Sequence, residues 1–334
     1  MGPIHNLHEY GQSIWYDNIQ RRLLTNGDFA EMISNGDIRG VTSNPAIFHK
    51  AISNSKDYDA ALKPMAWSGW SAEEIFYQLA IEDIQAAADL FLPLYEQSNR
   101  GDGYVSLEVS PLLARDAAGT SREAKLLWER VNRPNLMIKI PATIQGLEAI
   151  KETVSFGINV NVTLIFSLER YEQVIKAYME GLEERAAAGL PIGSIASVAS
   201  FFVSRVDSKV DQRLVALNQP EDTDCLMGKA ALSNARLAYA LFKKHFYSDR
   251  FSQLEKKAAR PQRPLWASTG TKNPEYSDVL YIDELIAPFS VNTVPPATLD
   301  AFRDHGEPSL SLEGKEEESQ KVFDDLGNLG ISMR

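Results

Sequence analysis

The 334-residue chain is 44 % hydrophobic and 24 % charged, the balance of an ordinary globular protein with a large core, which excludes a disordered chain. A formal net charge of −11 argues against a nucleic-acid surface, since binding a phosphate backbone depends on clustered Lys and Arg. Apolar runs are short, and the opening MGPIHNLHEYGQSIWYD has no basic region followed by a long apolar stretch, so neither a membrane span nor a secretory signal is expected and the chain reads as cytoplasmic.

Strand-like runs alternate with helical patterns along the chain, the sequence sign of βα units around a parallel sheet. The expected strands, in order, cover residues 13–17, 39–43, 104–109, 136–140, 158–163, 194–201, 264–268 and 289–294. A doubly wound sheet competes with this reading, but eight strands, each leading into a helical or inserted segment, favour closure into a single (β/α)8 barrel over residues 1–334. Two connections, at about 45–103 and 205–263, exceed a simple βα link and carry helical patterns, so they read as helical insertions.

In the first of these, Ile75, Leu79, Ala80, Ile84, Ala87, Ala88 and Phe91 recur at helical spacing. NRGDGY reads as a turn entering the third strand, and TSREAKLLWERV as a helix opened by a capping box of Thr120 and Glu123. Tyr171, Val174, Ile175, Tyr178 and Leu182 mark a further outer helix. The lone Cys225 is expected to be a buried or inert thiol, with no partner for a disulfide or a zinc cluster. RPQRP, before the seventh strand, reads as a solvated loop. STGTK lacks the glycine that a nucleotide phosphate loop needs, and the five histidines show no metal spacing. Pro295 and Pro296 are expected to shape the loop after the eighth strand. HGEPSLSLEGKEEESQ then reads as a linker or frayed helix start, and KVFDDLGNLGISMR as one amphipathic turn.

Alternation along the strands carries the functional signal, because the outward face of a barrel strand must be apolar to meet its helices. In INVNVT the apolar Ile158, Val160 and Val162 face out, so Asn159, Asn161 and Thr163 point inward, where unpaired polar groups are costly. The same reasoning turns Lys139 inward between Ile138 and Ile140, and Ser106 and Glu108 inward in YVSLEV. Asp17 ends the first strand, Asn44 the second, and Ser200 falls late in the sixth. Barrel active sites form at the carboxyl ends of strands, so these groups converge on one pocket. A lysine amine beside carboxylates there suits attack on a carbonyl to give an imine, with burial expected to lower the lysine toward ~7–8 so that the amine is neutral. The iminium withdraws electrons, and a carboxylate takes the hydroxyl proton as a ketose carbon–carbon bond cleaves.

These motifs, VTSNPAIF, VSLEVSP, MIKIPAT, INVNVTLIFS and SFFVSRVD, resemble the transaldolase family across nearly the whole chain, and WASTGTKNPEYSD is similar to its longer bacterial subfamily. The resemblance implies a class I aldolase-like barrel with extra helices, acting in the pentose phosphate pathway without cofactor or metal. It implies Lys139 as the Schiff-base lysine, Asp17 as the acid/base at the C4 hydroxyl, and Glu108 with Thr163 holding a water that shuttles protons. Asn44, Asn161 and Ser200 would bind the dihydroxyacetone hydroxyls, and Arg205 the substrate phosphate. The implied donors are fructose 6-phosphate and sedoheptulose 7-phosphate, and the acceptors erythrose 4-phosphate and glyceraldehyde 3-phosphate. Lys272 stands where the smaller subfamily has a second phosphate-binding arginine. Some members of the longer subfamily are fused to a phosphoglucose isomerase, and the C-terminus here reads as truncated or as continuing into another domain. Oligomeric state is left open. The rival readings are a class I aldolase that releases dihydroxyacetone, and a sugar-phosphate-binding barrel without turnover.

Overall fold

The computed structural model describes residues 2–333. Eight parallel strands follow one another round a closed barrel in chain order: β1 (Gln12–Tyr16), β2 (Gly40–Val41), β3 (Tyr104–Glu108), β4 (Leu136–Pro141), β5 (Val160–Ile165), β6 (Ser197–Phe202), β7 (Arg263–Ala267) and β8 (Ser290–Val294). β8 pairs back onto β1 over five residues and closes the cylinder. This is the (β/α)8 barrel that strand alternation anticipated, with helices surrounding it. Among the described residues no helix is long and apolar enough to cross a membrane.

The period-two pattern sorts side chains into two cores. Outward residues such as Ile14, Val105, Ile138, Ile140, Val160 and Val162 join the helices in one large buried cluster, each contributing roughly 1.5–3 kcal/mol through burial. Inward residues near the strand starts, Trp15, Tyr104, Met137, Val198, Leu265 and Val291, fill the amino end of the barrel. Gly40 makes this packing possible, since a Cβ there would stand 2.6 Å from the Trp15 indole.

Several local readings are corrected. β2 has two residues rather than five, because Asn44 caps the helix Pro45–Ser53 and Pro45 at its first turn cannot continue a ladder. β6 starts at Ser197, not 194, since Ile192 and Ile195 form a turn before it. β5 runs later than expected and carries a register shift between Val162 and Ile165, with Leu164 in a left-handed conformation at φ 61°. The helix Ala117–Val131 is capped by Asp116, whose carboxylate accepts from Gly119 N at 2.9 Å. Thr120 lies inside that helix and donates to Leu113 O, so the expected Thr120–Glu123 box does not form.

Residues 45–103 hold the helices Pro45–Ser53, Asp59–Trp67 and Ala72–Gln97, the last opened by a Ser71–Glu74 capping box. Residues 205–263 hold most of Ser204–Leu217, then Pro220–Thr223, Ala230–Phe246 and Asp249–Glu255. Two helices follow β8, Pro296–His305 and Glu316–Asn328. The second is longer than the single turn expected, because the acidic run EEE occupies its first turn, where the helix dipole favours negative charge, and Val322 and Leu326 are buried on one face. Cys225 is exposed rather than buried, at the short turn Asp224–Leu226.

Candidate active site

At the carboxyl ends of the strands lies a cavity of about 190 Å³, lined by Asp17, Asn44, Lys139, Thr163, Ser200, Arg205 and Lys272 among others. Glu108 and Asn161 stand immediately beside it through their contacts with Lys139 and Ser200, so the nine residues singled out from sequence gather in one place.

Strand register sets the inner ring. Glu108 is the register partner of Lys139, Lys139 that of Asn161, and Pro141 that of Thr163. The Lys139 Nζ sits 3.2 Å from Glu108 Oε2 and donates to Ser43 O at 3.0 Å, with only 7 % of the residue exposed. A buried lysine is tolerable only with such partners, and one of them is a carboxylate.

The three inward polar residues of INVNVT, at and just before β5, change role as they climb the barrel. Asn159, lowest, donates to Pro134 O and Leu136 O and accepts from Ala196 N, all backbone groups, so it is a structural tie. Asn161 donates to Ser106 Oγ at 3.0 Å and accepts from Ser200 Oγ at 2.7 Å. Thr163 is buried, and its hydroxyl has no hydrogen-bond partner among the described residues. A buried hydroxyl left unmatched at the cavity wall marks a position prepared for a water or a substrate oxygen.

On the opposite flank the Thr42 hydroxyl lies 2.7 Å from Asp17 Oδ1 and 2.6 Å from Thr293 Oγ1. One hydroxyl has one proton, so Thr42 donates to the carboxylate and accepts from Thr293, which fixes the direction of the chain. Asn44 accepts from Ile47 N at 3.0 Å as the cap of its helix, leaving its NH2 group as the part available to a ligand. Thr42, Ser43 and Thr293 were not singled out from sequence. Thr293 shares the inward face of β8 with Val291, and alternation alone was enough to find it.

The third flank is basic. Beyond β6 and β7 the ladder continues, with Val203 N donating to Ala267 O and Ser204 N to Ser268 O, and it delivers the helix Ser204–Leu217 to the cavity edge. Arg205, exposed on its first turn, lies over the Phe202 ring at 5.0 Å. Exposed Lys272 approaches from the loop after β7. That loop and the helix are tied by two buried carboxylates: Tyr281 donates to Asp207 Oδ2 at 2.6 Å and Tyr276 to Asp211 Oδ2 at 2.8 Å. Burial pushes the Asp207 carboxyl up to about 6 despite those hydrogen bonds. Pro295, expected only to shape its loop, also lines the cavity. Among the described residues no group of three or more His, Cys, Asp or Glu is placed to hold a metal ion.

Two loop readings change at the far, amino end of the barrel. Arg263 of RPQRP is not solvated but opens β7 and pairs with Asp102 of NRGDGY at 3.1 Å. Arg39 joins the same carboxylate at 2.7 Å.

Residues 14–334 match the family model described as Transaldolase/Fructose-6-phosphate aldolase. The chain is similar to the transaldolase of Saccharopolyspora erythraea, 51 % identical over 328 residues covering 98 % of this chain and 88 % of that protein. It is 49 % identical to the transaldolase of Thermobifida fusca over 99 % of this chain and 90 % of the relative. The transaldolase of Trichodesmium erythraeum is 46 % identical over 97 % of this chain and 87 % of its own length.

Proposed function

The chain belongs to the transaldolase/fructose-6-phosphate aldolase family, and from that premise we propose that it is a transaldolase, moving a dihydroxyacetone unit from a ketose phosphate to an aldose phosphate through an imine on Lys139. The observation that carries this reading is the buried Lys139 amine held 3.2 Å from Glu108 at the carboxyl mouth of the barrel. The reaction belongs to cytoplasmic sugar-phosphate metabolism, the pentose phosphate pathway, with sedoheptulose 7-phosphate or fructose 6-phosphate as donor.

Glu108 takes a proton from the Lys139 ammonium, and the freed amine adds to the ketose carbonyl. The carbinolamine then loses water as Glu108 returns the proton, with a water held by Glu108 and the unmatched Thr163 hydroxyl as relay. Asp17, aligned by Thr42, removes the C4 hydroxyl proton, the C3–C4 bond breaks, and its electron pair moves into the iminium to give an enamine. An aldose phosphate leaves. The enamine attacks the aldehyde of the acceptor, a new carbon–carbon bond forms, Asp17 gives its proton to the resulting alkoxide, and hydrolysis frees Lys139. Asn44, Asn161 and Ser200 hold the three-carbon unit between the two half-reactions. Arg205, Lys272 and the amino end of the helix Ser204–Leu217 bind the phosphate.

The test is mass spectrometry with peptide mapping after incubation with fructose 6-phosphate and borohydride. A three-carbon adduct on the peptide containing Lys139 is expected, and its removal by erythrose 4-phosphate before reduction separates transfer from simple aldol cleavage. No adduct, or one on another lysine, removes the basis of the reading.

A further inference from the structure

The barrel has a second mouth. At the amino ends of the strands a cavity of about 450 Å³ opens between the starts of β1, β3, β6 and β7, a volume within the ordinary range for small-molecule sites. We propose that it binds a small hydroxylated organic anion, one carrying a phosphate or carboxylate group, at a site separate from the catalytic mouth.

The charge balance is the first argument. Arg39, Arg100, Arg260 and Arg263 line this cavity, and Asp102 is the only carboxylate among the lining residues. On a chain of net charge −11 such a basic concavity is an exception. Asp102 is saturated: it accepts from Ser13 Oγ at 2.8 Å, Arg39 Nε at 2.7 Å, Arg263 Nη1 at 3.1 Å and Trp15 Nε1 at 3.3 Å. Two partly buried guanidiniums therefore share one negative charge, leaving a net positive charge that an anion would complete. His8, also at the wall, responds to that field: burial and then the Arg39 charge hold it at about 4.

The donors are the second argument. Arg39 engages Asp102 through Nε alone, so its two terminal nitrogens are uncommitted, and the Arg100 guanidinium makes no hydrogen bond or ion pair among the described residues. Arg263, by contrast, spends its donors on Gly101 O, Asp102, Ser13 and Ser290 O and serves as scaffold. Guanidinium forks match the paired oxygens of phosphate and carboxylate.

A third feature asks for a hydroxyl. Gln12 is 1 % exposed and lines the cavity, its NH2 group donates to Leu285 O and Ser290 Oγ, and its amide oxygen has no partner among the described residues. An unmatched buried acceptor beside arginines is served by a ligand O–H. The cavity floor, Trp15, Met137 and Val198, takes the carbon skeleton. These three lie two positions before Asp17, Lys139 and Ser200 on the same inward strand faces, so one layer of side chains separates the two mouths.

Inorganic pyrophosphate is the probe, measured by equilibrium dialysis at low ionic strength. The R205Q/K272Q chain removes both cationic side chains from the catalytic mouth and is the reference. It is expected to retain one equivalent of bound pyrophosphate, R100Q added to it to weaken binding about tenfold, and R39Q with R100Q to abolish it. Arg100 is exposed and only its backbone is hydrogen-bonded, so exchanging its side chain does not threaten folding, and thermal melting checks the variant that also loses Arg39. A reference chain that binds no pyrophosphate, or R100Q and R39Q/R100Q chains that bind it as the reference does, overturns the proposal. Failure to trap an adduct on Lys139 leaves this test untouched.

Discussion

Lys139 Nζ lies 3.2 Å from Glu108 Oε2, and the two residues are direct register partners on β4 and β3, so their separation is set by backbone pairing rather than by flexible loops. Glu108→Gln preserves size and a hydrogen-bond acceptor but removes the base. The rate of imine formation, followed by rapid mixing with substrate and borohydride quenching, is expected to fall by about 10²–10⁴-fold. An unchanged rate would assign the proton transfer to another group.

Asp17 acts at the later step, and its isostere separates the two. In Asp17→Asn the Thr42 hydroxyl still finds an oxygen acceptor, so the local structure is kept while the general base is lost. The expected result is a trapped adduct bearing the whole ketose, with transfer reduced by about 10²–10⁴-fold. Loss of the adduct together with turnover would instead place Asp17 in the first half of the reaction.

The contrast between the two barrel ends explains what the sequence made legible. Alternation located Glu108, Lys139, Asn161 and Thr163 because each is a polar residue flanked by apolar ones within a strand, a signal local to five or six residues. It was silent on Arg39, Asp102 and Arg263, which meet from distant segments at strand starts, where turn composition looks the same whether the side chains are solvated or buried. Thr120 misled for a related reason: Thr and Glu spaced for a capping box form one only at a helix end, and Asp116 had already supplied that end. The final helix, Glu316–Asn328, was obscured because its first turn is all acidic and its apolar stripe is only a few residues long.

Among the described residues the Ser200 hydroxyl is the sole donor to Asn161 Oδ1, at 2.7 Å. In Ser200→Ala that buried acceptor is left unmatched, a cost of about 1–3 kcal/mol in urea unfolding. The Asn161 amide also gains freedom to rotate, so KM for fructose 6-phosphate is expected to rise together with the loss of stability. A variant as stable as the parent would mean that water replaces the hydroxyl without penalty.

Arg205 and Lys272 bring positive charge to the edge of the catalytic cavity from different elements. Arg205→Gln is expected to raise KM for fructose 6-phosphate by about tenfold or more, the worth of one charge-assisted contact. Its kcat/KM for unphosphorylated fructose should not move. Equal losses on both substrates would point to a general disturbance of the helix start rather than to phosphate recognition.

Asp207 and His8 make opposite contributions to stability over the same range of pH. The folded Asp207 carboxyl, raised by burial to about 6 from an ordinary 3.8, binds more protons than the unfolded chain between those values. Its contribution is therefore greatest below 3.8 and is lost as pH rises through 6, by roughly 3 kcal/mol if the whole shift is expressed. His8 runs the other way: lowered to about 4 from 6.5, it favours the folded state above 6.5, and that preference fades as pH falls through 4. The two contributions therefore oppose each other between pH 6 and 4. Asp207→Asn removes the first slope and should lose stability on acidification more steeply than the parent, whereas His8→Gln removes the second and should gain relative to it. Urea midpoints at pH 4, 5, 6 and 7 for the three proteins read this directly. Parallel profiles for parent and Asp207→Asn would mean that the carboxyl held between Tyr281 and Ala231 ionises as it does in the unfolded chain.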